Sequence, residues 1–133
     1  MTSMWEILLP TERRREPGKF YTTRYHRVWD GKVRAITGGL TILTPAKGQW
    51  VSPDGKLFKE RMIPVRIAAT REQIEQIIDL TLEYYDQLVV ICYKVSDEVI
   101  IRHICDKGCQ YAKDVGMEPH RCSNGCMYEK ASA

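Results

Sequence analysis

The stretch Thr70 to Tyr93, TREQIEQIIDLTLEYYDQLVVICY, changes its hydrophobic period midway, and that change decides the fold. Thr70-Arg71-Glu72-Gln73 has the form of a capping box, in which the threonine and glutamine satisfy each other's exposed amides. Ile74, Ile77, Ile78, Thr81 and Tyr85 then share one helical stripe, opposite Glu72, Glu75, Gln76, Asp79 and Glu83. From Leu88 to Tyr93 the apolar run is unbroken and too short for another helix. It predicts a strand buried on both faces and therefore central in its sheet. Val99-Ile100-Ile101 extends or re-enters that sheet after Ser96-Asp97.

Working upstream, Met62 to Ala68 predicts a strand with an irregularity near Arg61 to Pro64, because proline offers no N–H to a ladder. Pro53-Asp54-Gly55 is a turn, with the proline fixing one dihedral and the glycine supplying a positive one. Lys56 to Glu60 and Gln49-Trp50-Val51 flank it as a hairpin, and Leu40 to Leu43 begins that strand. Before it, Tyr25, Trp29, Val33 and Ile36 recur at helical spacing. Thr22 or Thr23 caps that helix and Gly38-Gly39 ends it. Trp5 to Leu9 is a first strand, bounded by Pro10.

The order strand, helix, strand, strand, helix, strand is α+β and of the ferredoxin-like, split βαβ kind (βαββαβ). It predicts a four-stranded antiparallel sheet with two helices on one face. This body spans residues 1–102, and residues 103–133 form a small Cys-rich C-terminal appendage. Gly39-Leu40-Thr41-Ile42-Leu43, Gly48-Gln49-Trp50, Asp54-Gly55-Lys56-Leu57 and the strand from Glu60 through Ile67 make up a G-x-T-x-L…G-Q-W…D-G pattern. Over about residues 39–101 this pattern resembles an uncharacterised family of small bacterial proteins. The resemblance implies the ferredoxin-like topology, and it brings no activity from which a catalytic residue could be carried over.

At 133 residues and 44% hydrophobic, the chain has enough apolar content for one packed core. Its longest wholly apolar run falls far short of the roughly 20 residues needed to span a bilayer. No apolar leader-like segment follows the first methionine, which points to the cytoplasm and away from a membrane. Charge is uneven. Residues 12–34 carry eight Lys/Arg against Glu12, Glu16 and Asp30, a net +5 within a chain of net +3. Such a stretch can attract phosphate groups, or simply form a solvated face.

The tail holds the sharpest motif, Cys105-Asp106-Lys107-Gly108-Cys109 and Cys122-Ser123-Asn124-Gly125-Cys126, with His120 two residues before the third cysteine. In a reducing compartment clustered thiols hold metal more often than they pair. Four thiolates, or three with His120, satisfy the tetrahedral preference of zinc and leave no open position for a substrate. The three-residue spacing within each pair is wider than in the usual zinc hairpin. Two disulfides or an iron–sulfur cluster remain alternatives.

Elsewhere the candidates are weaker. Arg24, His26 and Arg27 can bind an anion or move a proton. Trp29 and Trp50 face the core or line a pocket beside it, and Cys92 reads as a small apolar core residue. His103 is a junction residue that can also reach a metal. No Ser-His-Asp ordering, Walker loop, G-x-G-x-x-G or H-E-x-x-H occurs.

The favoured function is a non-catalytic binding or regulatory module with a structural zinc-type tail, acting as a homodimer through the sheet or on a protein partner or small ligand. The alternative is a small-molecule enzyme of the dimeric ferredoxin-like type, with a sheet–helix pocket near His26. A nucleic-acid-binding protein using the basic 12–34 stretch is the third reading.

Overall fold

The first strand, β1 (Ser3–Pro10), alternates Trp5, Ile7 and Leu9 inward with Met4, Glu6 and Leu8 outward, and it becomes the centre of the sheet. The computed structural model describes residues 1–104 and 110–112. After β1 come α1 (Thr23–Thr37), β2 (Thr41–Ile42), β3 (Ala46–Val51), β4 (Leu57–Ala69), α2 (Arg71–Tyr84) and β5 (Ile91–Ser96). A separate two-stranded piece, β6 (Arg102–Ile104) with β7 (Gln110–Ala112), follows.

Strand order is β2-β4-β1-β5, all antiparallel, with β3 also paired to β4. β2 and β3 thus occupy one lateral position in two pieces, which gives the four-position split βαβ sheet predicted from the sequence. Val65, Ile67 and Ala69 of β4 share the inward face of β1. Against them pack Trp29 and Val33 of α1, Ile74 and Ile77 of α2, and Tyr85, which follows α2. Both helices therefore lie on one side, and among the described residues the other side of the sheet carries no helix.

The helix ends follow their sequence signals. Thr22 caps α1 by accepting from the Tyr25 N–H, and Gly38 closes it at φ +88°. The Thr70–Gln73 capping box is present in both directions. Asp86 follows α2 at φ +49°, a region asparagine and aspartate tolerate better than other residues with a Cβ.

Three expectations are corrected. First, β5 is an edge strand, not a central one: among the described residues it pairs only with β1, and Ile91 is 54% exposed. Leu88 and Val89 precede the strand and lie in solvent. The apolar run did not mark two covered faces, because the outward half of β5, Ile91 and Tyr93, lies on the helix-free side of the sheet. Second, β4 runs unbroken through Pro64. The Pro64 carbonyl accepts from the Leu43 N–H, so its missing N–H points to the same side, where Leu43 to Pro45 interrupt the neighbouring strand. The irregularity lies in the partner strand instead. Third, Val99 to Ile101 belong to no strand.

β4 is also much longer than its neighbours. Its residues 57–61 precede the part paired with β1 and, among the described residues, their strand pairing is with β3 alone. The β3–β4 hairpin therefore extends past β1 as a two-stranded arm, by about 17 Å at the usual strand rise.

Candidate functional site

Glu6 stands in the middle of the helix-free sheet face, on the central strand. Its Oε1 accepts from Arg66 Nε at 2.9 Å, and its Oε2 accepts from the Tyr93 hydroxyl. The register explains the grouping: Glu6 is opposite Arg66 on β4 and opposite Tyr93 on β5, so all three share a row across the sheet. The two partners cover the carboxylate, which keeps 9% of its side chain exposed while Arg66 keeps 46%. Around this group, on the same face, lie Met4 and Leu8 of β1, Met62, Pro64 and Ala68 of β4, and Ile91 of β5. The result is a largely apolar face whose central charges cancel.

On the other side of the sheet the residues near His26 form a packed aromatic cluster. Tyr21 and Tyr25 stack at 4.9 Å, Tyr25 and Tyr84 at 4.3 Å, and Tyr85 meets Tyr21 edge-on at 5.0 Å. His26 Nδ1 hydrogen-bonds the Tyr85 hydroxyl at 2.7 Å. Trp29 is wholly buried and donates its indole N–H to Thr81 Oγ1 at 3.0 Å. The space in which the sequence suggested a substrate pocket is occupied by these side chains.

Burial drives the Tyr85 hydroxyl above the ordinary phenol range, and pushes the His26 imidazole below its usual value despite the nearby Asp30 carboxylate. Asp30 is itself buried, which raises its carboxyl above the usual range. For His26 the folded value lies under the unfolded one. Its contribution is therefore complete above about pH 6.5 and is lost as pH falls below that. Asp30 acts in the opposite sense, since its carboxylate costs stability once pH rises above its ordinary unfolded range. Urea unfolding between about pH 7 and about pH 5 is expected to show a fall in stability that His26→Gln flattens. An unchanged slope in the variant would mean that His26 binds protons equally in the folded and unfolded chain.

The other sequence candidates do not converge. Arg24 and Arg27 are exposed on α1, away from the buried Trp29 one turn along. Trp50 lies on the arm, stacked on Phe58 at 4.4 Å. Cys92 is half-buried opposite Ile7 and its thiol is pushed up to about 11 by burial, as fits a core residue. The cations of the basic stretch are largely engaged. Arg14 and Arg15 both bind Asp86 at 3.3 and 2.7 Å, Arg13 lies over the Tyr21 and Tyr25 rings, and Lys19 pairs with Glu16.

Cys105, Cys109, Cys122, Cys126 and His120 lie outside the described residues. Among the described residues, no group of three or more His, Cys, Asp or Glu is placed to hold a metal ion, and no helix is long and apolar enough to cross a membrane.

Sequence reasoning missed the Glu6–Arg66–Tyr93 group. The one signal for it was the parity of Glu6 within an otherwise inward-alternating strand.

No family model matches this sequence, and no curated protein matches it. Several solved structures share the fold. The divalent cation tolerance protein Cut A1 from Thermus thermophilus aligns with a TM-score of 0.54 at 8% identity, over 74% of this chain and 88% of its own. The periplasmic divalent cation tolerance protein CutA from Archaeoglobus fulgidus gives 0.55 at 11% identity, over 74% and 86%. A phage SAM lyase in complex with S-methyl-5'-thioadenosine gives 0.52 at 15% identity, over 73% and 91%. At such identities the likeness establishes the ferredoxin-like α+β fold.

Proposed function

We propose that the chain is a non-catalytic binding module that works as a homodimer joined through the helix-free sheet face, with a zinc-stiffened C-terminal tail. The observation that supports it is the Glu6–Arg66–Tyr93 group at the centre of that face. A bare carboxylate there would make covering the face costly, because its hydration would be lost without return. Held by Arg66 and Tyr93, it is already mostly out of water. A second copy can then cover Met4, Leu8 and Ile91 at little further electrostatic cost.

The tail belongs to the same reading. Cys105, Cys109, Cys122, Cys126 and His120 offer thiolate and imidazole donors, the set zinc favours. Two proteins of the same fold carry divalent cation tolerance in their names, which makes a metal-related role a reasonable parallel. A reducing, cytoplasmic setting goes with it, since thiols there remain available as ligands.

Light scattering coupled to sizing tests the assembly. The unmodified chain is expected to run at twice its 15.4 kDa mass. Arg66→Glu sets a second carboxylate beside Glu6 and is expected to weaken association by at least about 30-fold, the lower end of the 2–5 kcal/mol for stripping a partner from a buried pair. A chain that stays monomeric up to high micromolar concentration would overturn the reading.

A further inference from the structure

The arm carries a second surface that the sheet face does not explain. Cross-strand partners share a face, so Lys47 opposite Arg61 and Gln49 opposite Lys59 form one side of the ribbon, with the exposed apolar pair Val51 and Leu57 at its tip. Trp50 opposite Phe58 and Gly48 opposite Glu60 form the other. Lys47, Lys59 and Arg61 are all exposed, and among the described residues none of them has a carboxylate within ion-pair distance. Like charges directly opposite one another on a two-stranded ribbon destabilise it. The hairpin holds Lys47 and Arg61 in that arrangement, and a polyanion laid along this side would relieve it.

We propose that the basic side of this arm binds the phosphate backbone of double-stranded DNA, seated in or across the major groove. A two-stranded β-ribbon has the width that groove admits. The aromatic pair argues against single strands, because Trp50 and Phe58 lie nearly parallel at 11° and each covers a ring face of the other. Lys56 lies 5.2 Å over the Phe58 ring as well, so few ring faces remain on which unpaired bases can stack.

The surroundings extend the positive surface. The Thr11 hydroxyl donates to the Arg61 carbonyl at 2.8 Å, which fixes the start of the 11–22 loop beside the base of the arm. The same loop returns through the Tyr21 N–H to the Thr11 carbonyl, so α1 starts from this end of the sheet. Arg24 and Arg27 are exposed on its first two turns. The basic 12–34 stretch suggested nucleic acid from the sequence, but most of its cations are engaged internally. The cations that face one another across a ladder without a carboxylate partner among the described residues are on the arm.

Fluorescence anisotropy of a labelled 20-base-pair DNA duplex of arbitrary sequence, with the full chain, tests this. Three neutralised phosphates give a slope of about −2.7 in log K against log salt, or roughly 40-fold weakening between about 50 and about 200 mM. The triple variant Lys47→Gln, Lys59→Gln, Arg61→Gln is expected to lose most of that slope and at least about tenfold in affinity at the lower salt. Its thermal melt should match or exceed the parent, which separates loss of binding from loss of fold.

The proposal is overturned if the duplex is not retained at low salt, or if the triple variant keeps the parent slope. It is also overturned if a single strand of equal length binds as tightly, or if polyglutamate competes as well as duplex does. None of these outcomes depends on whether the sheet face pairs.

Discussion

Trp29→Ala is expected to cost about 3–5 kcal/mol of folding stability and to lower the melting temperature by roughly 10–20 °C. The indole fills the junction of α1 with the sheet and α2, has no exposed surface, and lies 6.3 Å from the Tyr85 ring. Its N–H donates to Thr81 Oγ1 at 3.0 Å, while that hydroxyl donates in turn to the Ile77 carbonyl at 2.5 Å. Alanine removes the packing and leaves the threonine oxygen without its donor in a dry site. Trp29→Phe keeps most of the volume and loses only the N–H, for about 1–2 kcal/mol. Urea unfolding of the two variants separates the cavity from the hydrogen bond. A cost under about 1 kcal/mol for alanine would show that α1 is not seated as described.

Cys122→Ser, made together with His120→Ala so that the imidazole cannot take the vacant position, is expected to release the zinc of the tail, on the function proposed above, while the melting of the sheet-and-helix body is retained. A structural zinc contributes on the order of 10–16 kcal/mol to the segment it folds, so loss of one thiolate ligand should empty the site rather than loosen it. Elemental analysis should fall from one zinc per chain to none. The body should be spared because its core, from Trp5 and Ile7 to Ile77 and Tyr85, is built from residues that precede the tail. Thiol titration adds an independent reading. After chelation in denaturant all five cysteines should react. If no metal is found and Cys92 alone reacts, the four tail cysteines are paired as disulfides and the metal reading is overturned.

What the sequence disclosed divides by the range of the interactions. The Thr70 capping box, the Gly38 stop and the Pro53-Asp54-Gly55 turn were legible because each is made by residues within a few positions of one another. The buried faces of both helices were legible from spacing alone. The place of Leu88 to Tyr93 was not, because burial of a strand depends on which neighbours arrive beside it. β1, with a carboxylate in its middle, took the centre instead. Pro64 likewise looked disruptive until the break at Leu43 to Pro45 came opposite its missing N–H.

The candidate sites show the same limit. Arg14 and Arg15 read as free cations in the sequence, yet their partner Asp86 lies more than seventy positions away. Glu6, Arg66 and Tyr93 are joined by sheet register across similar distances. The cations of the arm could be identified as one surface only once Lys47 was set against Arg61.

The central position of β1 governs the order of events during synthesis. Ser3 pairs with Ala69 and Met4 with Ser96, so neither neighbour of the first strand exists when that strand is made. At about 5–20 residues per second, the sixty or so residues between β1 and the end of β4 take roughly 3–12 s to appear. Through that interval Trp5, Ile7 and Leu9 have no ladder to join, and closure over so long a loop slows the step that follows. The β3–β4 hairpin, closed by its own turn, needs no earlier strand and can form once Met62 has been made. The nascent chain therefore folds from its middle outward, and the strand made first is among the last to be fixed.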